Sequence, residues 1–296
     1  MYDQAQILRG LMERRTEAAV ADAPAATLHA RTIAVTSGKG GVGKTNVALN
    51  LGIALARMGH PVCLLDANLG LGNIDLLCGL NGYWNISHVV SGARTVREIV
   101  LEGPCGTHVV PGASGLVDCA DCSPAAQREI LSQLDELERQ HDFLIIDTGT
   151  GIHRAVRQFV SAAQIVLVVT TPEPTAIADA YATLKALTAG KELRLPHILV
   201  NQAESPAQAR EIIARVQQTS RTFLHLTVSS AGHIPRDPAV PVAVARRKPF
   251  AAENARTPAA LAIEQLARRL VNVSAPQIQQ PSFFSQFHLW AEPKAA

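Results

Sequence analysis

Ser37-Gly38-Lys39-Gly40-Gly41-Val42-Gly43-Lys44-Thr45 fits the phosphate-loop pattern G-x-x-x-x-G-K-[ST] from Gly38 to Thr45. Ahead of it, Thr32-Ile33-Ala34-Val35-Thr36 is a short β-branched run that reads as a buried strand, and Asn46 to Met58 has helical apolar spacing that stops at Gly59. Strand, glycine loop and helix stand in the order such a loop requires. The glycines let successive N–H groups and the helix N-terminus point at one anion. The whole stretch from Gly38 to Asn46 is therefore a candidate nucleotide cradle, with Lys44 reaching the β and γ phosphates and the Thr45 hydroxyl placed for Mg²⁺.

Lys39 is one lysine more than the pattern needs. A second cation inside a glycine turn is repelled by Lys44 unless a polyanion sits between them, which favours a nucleotide over a simple anion. The spelling G-K-G-G-V-G-K-T resembles the deviant phosphate loop of the MinD/ParA class of ATPases. The resemblance implies ATP, Mg²⁺ and an ATP-bound homodimer in which Lys39 contacts phosphates across the interface.

Several strands end in acids or amides. Pro61-Val62-Cys63-Leu64-Leu65-Asp66 is a buried strand whose Asp66 falls on the phosphate-loop edge of a parallel sheet, where it meets Mg²⁺ or its waters. In the resembled class the next segment is switch I and carries a second aspartate that positions the attacking water; Asn68 stands there instead, which implies slow hydrolysis. Asp142-Phe143-Leu144-Ile145-Ile146-Asp147 is another such strand, and Asp147 to Gly151 has the D-x-x-x-G spacing of switch II. Asp147 reads as a metal-site acid and Gly151 as the γ-phosphate sensor. After the apolar strand Ile165 to Thr170, Thr171-Pro172-Glu173-Pro174-Thr175-Ala176 opens a helix to Leu187. His197 to Asn201 is a further strand, and Asn201 reads either as a turn residue or as a paired donor and acceptor for an adenine edge. The resemblance favours the base contact and adds the turn Ile234-Pro235-Arg236-Asp237, with Pro235 and Asp237 closing over the base. Alternation of strands and helices over residues 31 to 271 predicts one α/β domain: a doubly wound, mainly parallel sheet with helices on both faces.

Composition agrees. The chain has 296 residues, 47% of them hydrophobic, enough for a large core, and a net charge of +2 does not call for a polyanionic partner. Five cysteines and no signal-like opening fit a reducing cytoplasm, and a lone C-x-x-C at Cys119 and Cys122 is a weak zinc signature.

Two tails flank the domain. Asp3 caps an N-terminal stretch, residues 1 to 17, with Ala5, Leu8, Leu11 and Met12 on one stripe, and residues 18 to 30 read as a linker. Periodicity alone leaves open a partner-binding arm or a terminus packed on its own domain. Asp3-Gln4-Ala5-Gln6-Ile7-Leu8-Arg9 resembles the D-Q-A-x-x-L-R element of the FlhG (FleN/YlxH) family of flagellar MinD-type ATPases. That implies binding of an FlhF-type GTPase through Asp3, Gln4, Ala5, Leu8 and Arg9, with Gln4 stimulating its hydrolysis. At the other end, residues 272 to 296 hold a linker and then Phe283, Phe284, Phe287 and Trp290, expected as exposed aromatics for weak, reversible contact with the membrane surface. The alternative function is a MinD- or ParA-type positioning ATPase whose Arg246-Arg247-Lys248 meets DNA; three basic residues in one run read better as a solvated face.

Overall fold

The computed structural model describes residues 29–68, 73–188, 196–273 and 282–287. The expected N-terminal arm at residues 1 to 17 lies outside them, as does most of the switch I segment, residues 69–72.

Eight strands form one sheet. They are β1 (Arg31–Ser37), β2 (Val62–Ala67), β3 (Leu101–Glu102), β4 (His108–Val110), β5 (Phe143–Thr150), β6 (Ile165–Thr170), β7 (Pro196–Ala203) and β8 (Ser229–Pro235), in the order β3-β4-β2-β5-β1-β6-β7-β8. Every pairing is parallel except the short β3–β4 edge. The helices between them are α1 (Lys44–Arg57), α2 (Ile74–Leu77), α3 (Ile86–Val90), α4 (Val96–Ile99), α5 (Pro124–Arg139), α6 (Arg154–Ala162), α7 (Pro174–Thr188), α8 (Pro206–Leu224), α9 (Ala239–Ala245), α10 (Phe250–Glu253) and α11 (Pro258–Val271). This is the doubly wound sheet that the strand–helix alternation predicts.

The central strands are apolar at successive positions because both faces of the sheet are covered. On β1, Ile33 and Val35 face a core built with Leu49, Leu51 and Leu55 of α1 and Ile263 and Leu266 of α11. Ala34 faces the other core, with Leu134 of α5, Phe159 of α6 and Leu184 of α7. Helix starts follow a simple chemical rule. Ser123, Ser205 and Thr257 each accept a backbone N–H of the first turn, from Ala126, Gln208 and Ala260, and each is followed by a proline whose missing N–H costs a first turn nothing.

The end of the sheet remote from the phosphate loop is tied to the last helix. Arg31 Nη1 donates to the carbonyls of Leu270 and Val271, each at 2.8 Å, just as β1 begins.

The C-terminal aromatics are not where the sequence puts them. Phe283 and Phe284 are buried in the core, Phe283 stacked on Phe159 of α6 at 6.5 Å between ring centroids and edge-on to Phe284 at 5.2 Å. Two adjacent phenyl rings remove more apolar surface from water in a groove that already exists than on an exposed tether. The buried Glu138 carboxylate accepts the Phe283 N–H at 3.1 Å, and Gln286 Nε2 donates to the Ala162 carbonyl at 3.2 Å. Trp290 lies outside the described residues, as does the side chain of Phe287. Among the described residues no helix is long and apolar enough to cross a membrane. Cys119 is buried, and burial first, with Cys122 and Asp118 adding, pushes its thiol up to about 12.

Candidate functional site

The loop between β1 and α1 lies at the carboxyl edge of the sheet, on the central strand. Beyond the end of β1, Gly41 and Gly43 have φ of 80° and 86°, left-handed backbone that glycine adopts without a Cβ penalty. Gly43 is also needed for space, since a Cβ there would stand 2.4 Å from Asn201 Nδ2. At Gly38 a Cβ would meet the Asp179 carbonyl oxygen at 2.3 Å, so helix α7 closes directly on the start of the loop.

Strand register brings the acids to it. Asp66 on β2 pairs with Asp147 on β5, and Asp147 with Val35 on β1. Lys44 Nζ donates to Asp147 Oδ1 at 2.6 Å, both side chains buried. Burial is the main cause that raises the Asp147 carboxyl, with Lys44 and the Thr45 side chain drawing it down. Asp66 is pushed up to about 6, first by burial; the N–H of Ile74 draws it down and the charge of Asp147 pushes it up. It accepts the N–H of Ile74 at 3.0 Å and that of Asn68 at 3.3 Å, so one carboxylate holds backbone on both sides of residues 69–72. Gly151, with φ 84°, donates its N–H to the Ser37 carbonyl at 3.0 Å, so switch II is tethered to the loop.

A cavity of about 510 Å³ opens beside them, lined by Lys39, Gly43, Lys44, Thr45, Asn68 and Thr150 among others. The residues fit a divalent cation beside a nucleotide. Asp147 Oδ2 is a buried oxygen with no hydrogen-bond partner, and two desolvated carboxylates beside the Thr45 hydroxyl are hard oxygen donors short of positive charge. Thr45, Asp66 and Asp147 would hold Mg²⁺ directly or through water.

Other expected residues are placed differently. In the single chain Lys39 Nζ is ion-paired with Glu173 and donates to Thr175 Oγ1 at 3.1 Å. Asn201 turns toward the loop, Nδ2 donating to the Val42 carbonyl at 2.8 Å and Oδ1 accepting the Gln202 N–H at 2.9 Å, so here it braces the glycine turn. Pro235 ends β8 paired with Ala203 of β7, and the Asp237 carboxylate caps two backbone N–H groups, those of Ala239 and Ala259. Arg247, read from the sequence as part of a solvated run, lines the phosphate cavity.

A phosphate loop on the central strand of a doubly wound sheet, flanked by two strand-end acids, defines a phosphate-loop nucleotide-binding protein. The chain belongs to the CobQ/CobB/MinD/ParA nucleotide-binding family, which it matches over residues 33–250. It is 39% identical over 240 residues to the antiactivator FleN of Pseudomonas aeruginosa, covering 81% of this chain and 86% of that protein. With the flagellum site-determining protein YlxH of Helicobacter pylori it shares 33% over 221 residues, covering 75% of this chain and 74% of YlxH. Among solved structures, the MinC:MinD cell division complex of Aquifex aeolicus superposes with a TM-score of 0.67 at 27% identity, covering 84% of this chain and 99% of that one.

Proposed function

We propose that this chain is an ATP-dependent, dimerising regulator of flagellum number and placement that acts on an FlhF-type GTPase. The observation that carries the reading is the phosphate loop with its extra lysine, set against Asp66 and Asp147, in a chain similar to FleN and YlxH along most of its length. Mg²⁺ held by Thr45, Asp66 and Asp147 would supply neutralisation of the charge on the phosphates. The protein's own groups do the rest. Lys44 exchanges Asp147 for phosphate, the loop amides orient the chain of phosphates, and Asn68 orients water without accepting its proton, which makes hydrolysis slow. The Lys39–Glu173 pair is half exposed, worth little on its own, and gives way when a second nucleotide-bound copy presents phosphates to Lys39.

Residues 1 to 17 are the partner arm in this reading, with Gln4 its acting residue. Contact with the inner membrane surface through the tail would require Phe283 and Phe284 to leave the core, so the chain as folded withholds them. Light scattering of the purified protein tests the central claim: a dimer with ATP, a monomer with ADP, and no ATP dimer for Lys39→Ala. A variant that dimerises like the parent removes Lys39 from the interface. The arm is tested by a peptide of residues 1 to 15, expected to raise GTP turnover by the partner GTPase; equal stimulation by the Gln4→Ala peptide excludes Gln4.

A further inference from the structure

Three cations border the phosphate cavity: Lys39, Lys44 and Arg247. Two have acidic partners, Glu173 and Asp147. Among the described residues the Arg247 side chain has neither an ion pair nor a hydrogen bond, whereas the neighbouring Arg246 reaches Glu253 at 3.3 Å. An unpaired guanidinium on the wall of an anion cavity is free to meet the anion without first giving up a carboxylate.

The backbone at this position points the same way. Helix α9 ends with the Arg247 N–H on the Val244 carbonyl at 3.0 Å and the Lys248 N–H on the Ala243 carbonyl at 3.1 Å, the paired closure that puts the residue after the cap, Arg247, in left-handed backbone. Arg247 has φ 54°, where glycine is the usual occupant and a side chain costs about 1 kcal/mol. The turn after α2 is fitted against it, since a Cβ on Gly79 would stand 3.2 Å from the Arg247 carbonyl oxygen. A residue held in unfavoured backbone, packed from a second side and left without a partner is explained by what its side chain does when the cavity fills.

We propose that Arg247 binds the phosphates of the nucleotide, adding to Lys44 and the loop amides a planar fork that takes two phosphate oxygens at once. This rests on the nucleotide-binding reading and names a further residue of the same site. Arg247→Gly is the informative variant, because glycine suits the backbone at 247 and deletes only the side chain. Affinities for fluorescent ATP and ADP analogues are compared for the parent, Arg247→Gly, Arg247→Lys and Arg246→Ala, with thermal unfolding in the absence of nucleotide as the check on folding. Arg247→Gly is expected to bind about 10- to 100-fold more weakly, the range of hydrogen bonds to charged groups, without a lower unfolding midpoint. Arg247→Lys recovers part of the loss, and Arg246→Ala binds like the parent. Parent-like affinity in Arg247→Gly overturns the inference while leaving nucleotide binding intact, and an equal loss in Arg246→Ala overturns it in favour of a general field. Failure of the parent to bind while correctly folded removes both the inference and the function it rests on.

Discussion

Replacing Gly43 by alanine should damage the protein for two separable reasons. The residue has φ 86°, so any Cβ costs about 1 kcal/mol in backbone conformation alone. The new methyl would also stand 2.4 Å from Asn201 Nδ2 and has to displace it, which breaks the 2.8 Å hydrogen bond to the Val42 carbonyl inside the fold. A buried polar group left unpaired costs about 1–3 kcal/mol, so Gly43→Ala should lose roughly 2–4 kcal/mol in all. Asn201→Ala alone forfeits the same hydrogen bond and should cost about 1–3 kcal/mol. In the double variant the amide is already gone and the methyl has room, so the two losses overlap by about 1–3 kcal/mol instead of adding. Urea unfolding of the four proteins without nucleotide measures this, with an unchanged slope confirming that midpoints report stability. Additivity within about 0.5 kcal/mol would show that Gly43 is not packed on Asn201, and the bracing role given to that asparagine would fall.

Restoring an aspartate by Asn68→Asp should speed ATP turnover at saturating nucleotide, because a positioned general base is typically worth about 10²- to 10⁴-fold; an unchanged or lower rate means that this position does not limit hydrolysis. Phe283→Ala should cost about 3–5 kcal/mol of stability, the usual loss for a buried phenyl ring, and a parent-like denaturation curve would put the tail outside the core. For Asp66 the folded carboxyl, at about 6, holds its proton more tightly than the ordinary value of 3.8, so its own contribution to the stability of the nucleotide-free fold is fully present below about pH 4 and is lost as pH rises through 6. The ceiling is about 3 kcal/mol, and Asp66→Asn should flatten that part of the stability profile while weakening Mg²⁺-dependent nucleotide binding; an unaltered slope would assign the titration elsewhere.

The phosphate loop and its two acids are legible in the sequence because their chemistry is local. Glycines permit the turn, and an apolar run ending in aspartate puts a carboxylate at a strand end whatever surrounds it. Strand β8 is not legible in the same way: Ser229-Ser230-Ala231-Gly232-His233-Ile234-Pro235 lies at the sheet edge with only Ala231 and Ile234 fully buried, so it carries almost no apolar pattern. The aromatic tail misleads for a different reason. The spacing of Phe283 and Phe284 shows that they need an apolar surface, but the surface that receives them includes Phe159, more than a hundred positions away. Arg247 is hidden by composition, one basic residue among three, and only the left-handed backbone and the cavity single it out.

The tie between Arg31 and the end of α11 has a consequence for how the protein is used. Residues 29 and 282 both adjoin Glu138, which precedes β5, so both tails leave from the amino edge of the sheet. The phosphate loop sits at the opposite edge, separated by the seven residues of β1, about 23 Å of extended chain. The points where the described chain ends at residue 29 and re-enters at residue 282 are therefore set apart from the edge that carries the phosphate loop. A change in the phosphate loop can reach those two points only through the buried strands between, β1 and β5, which pair along most of their length.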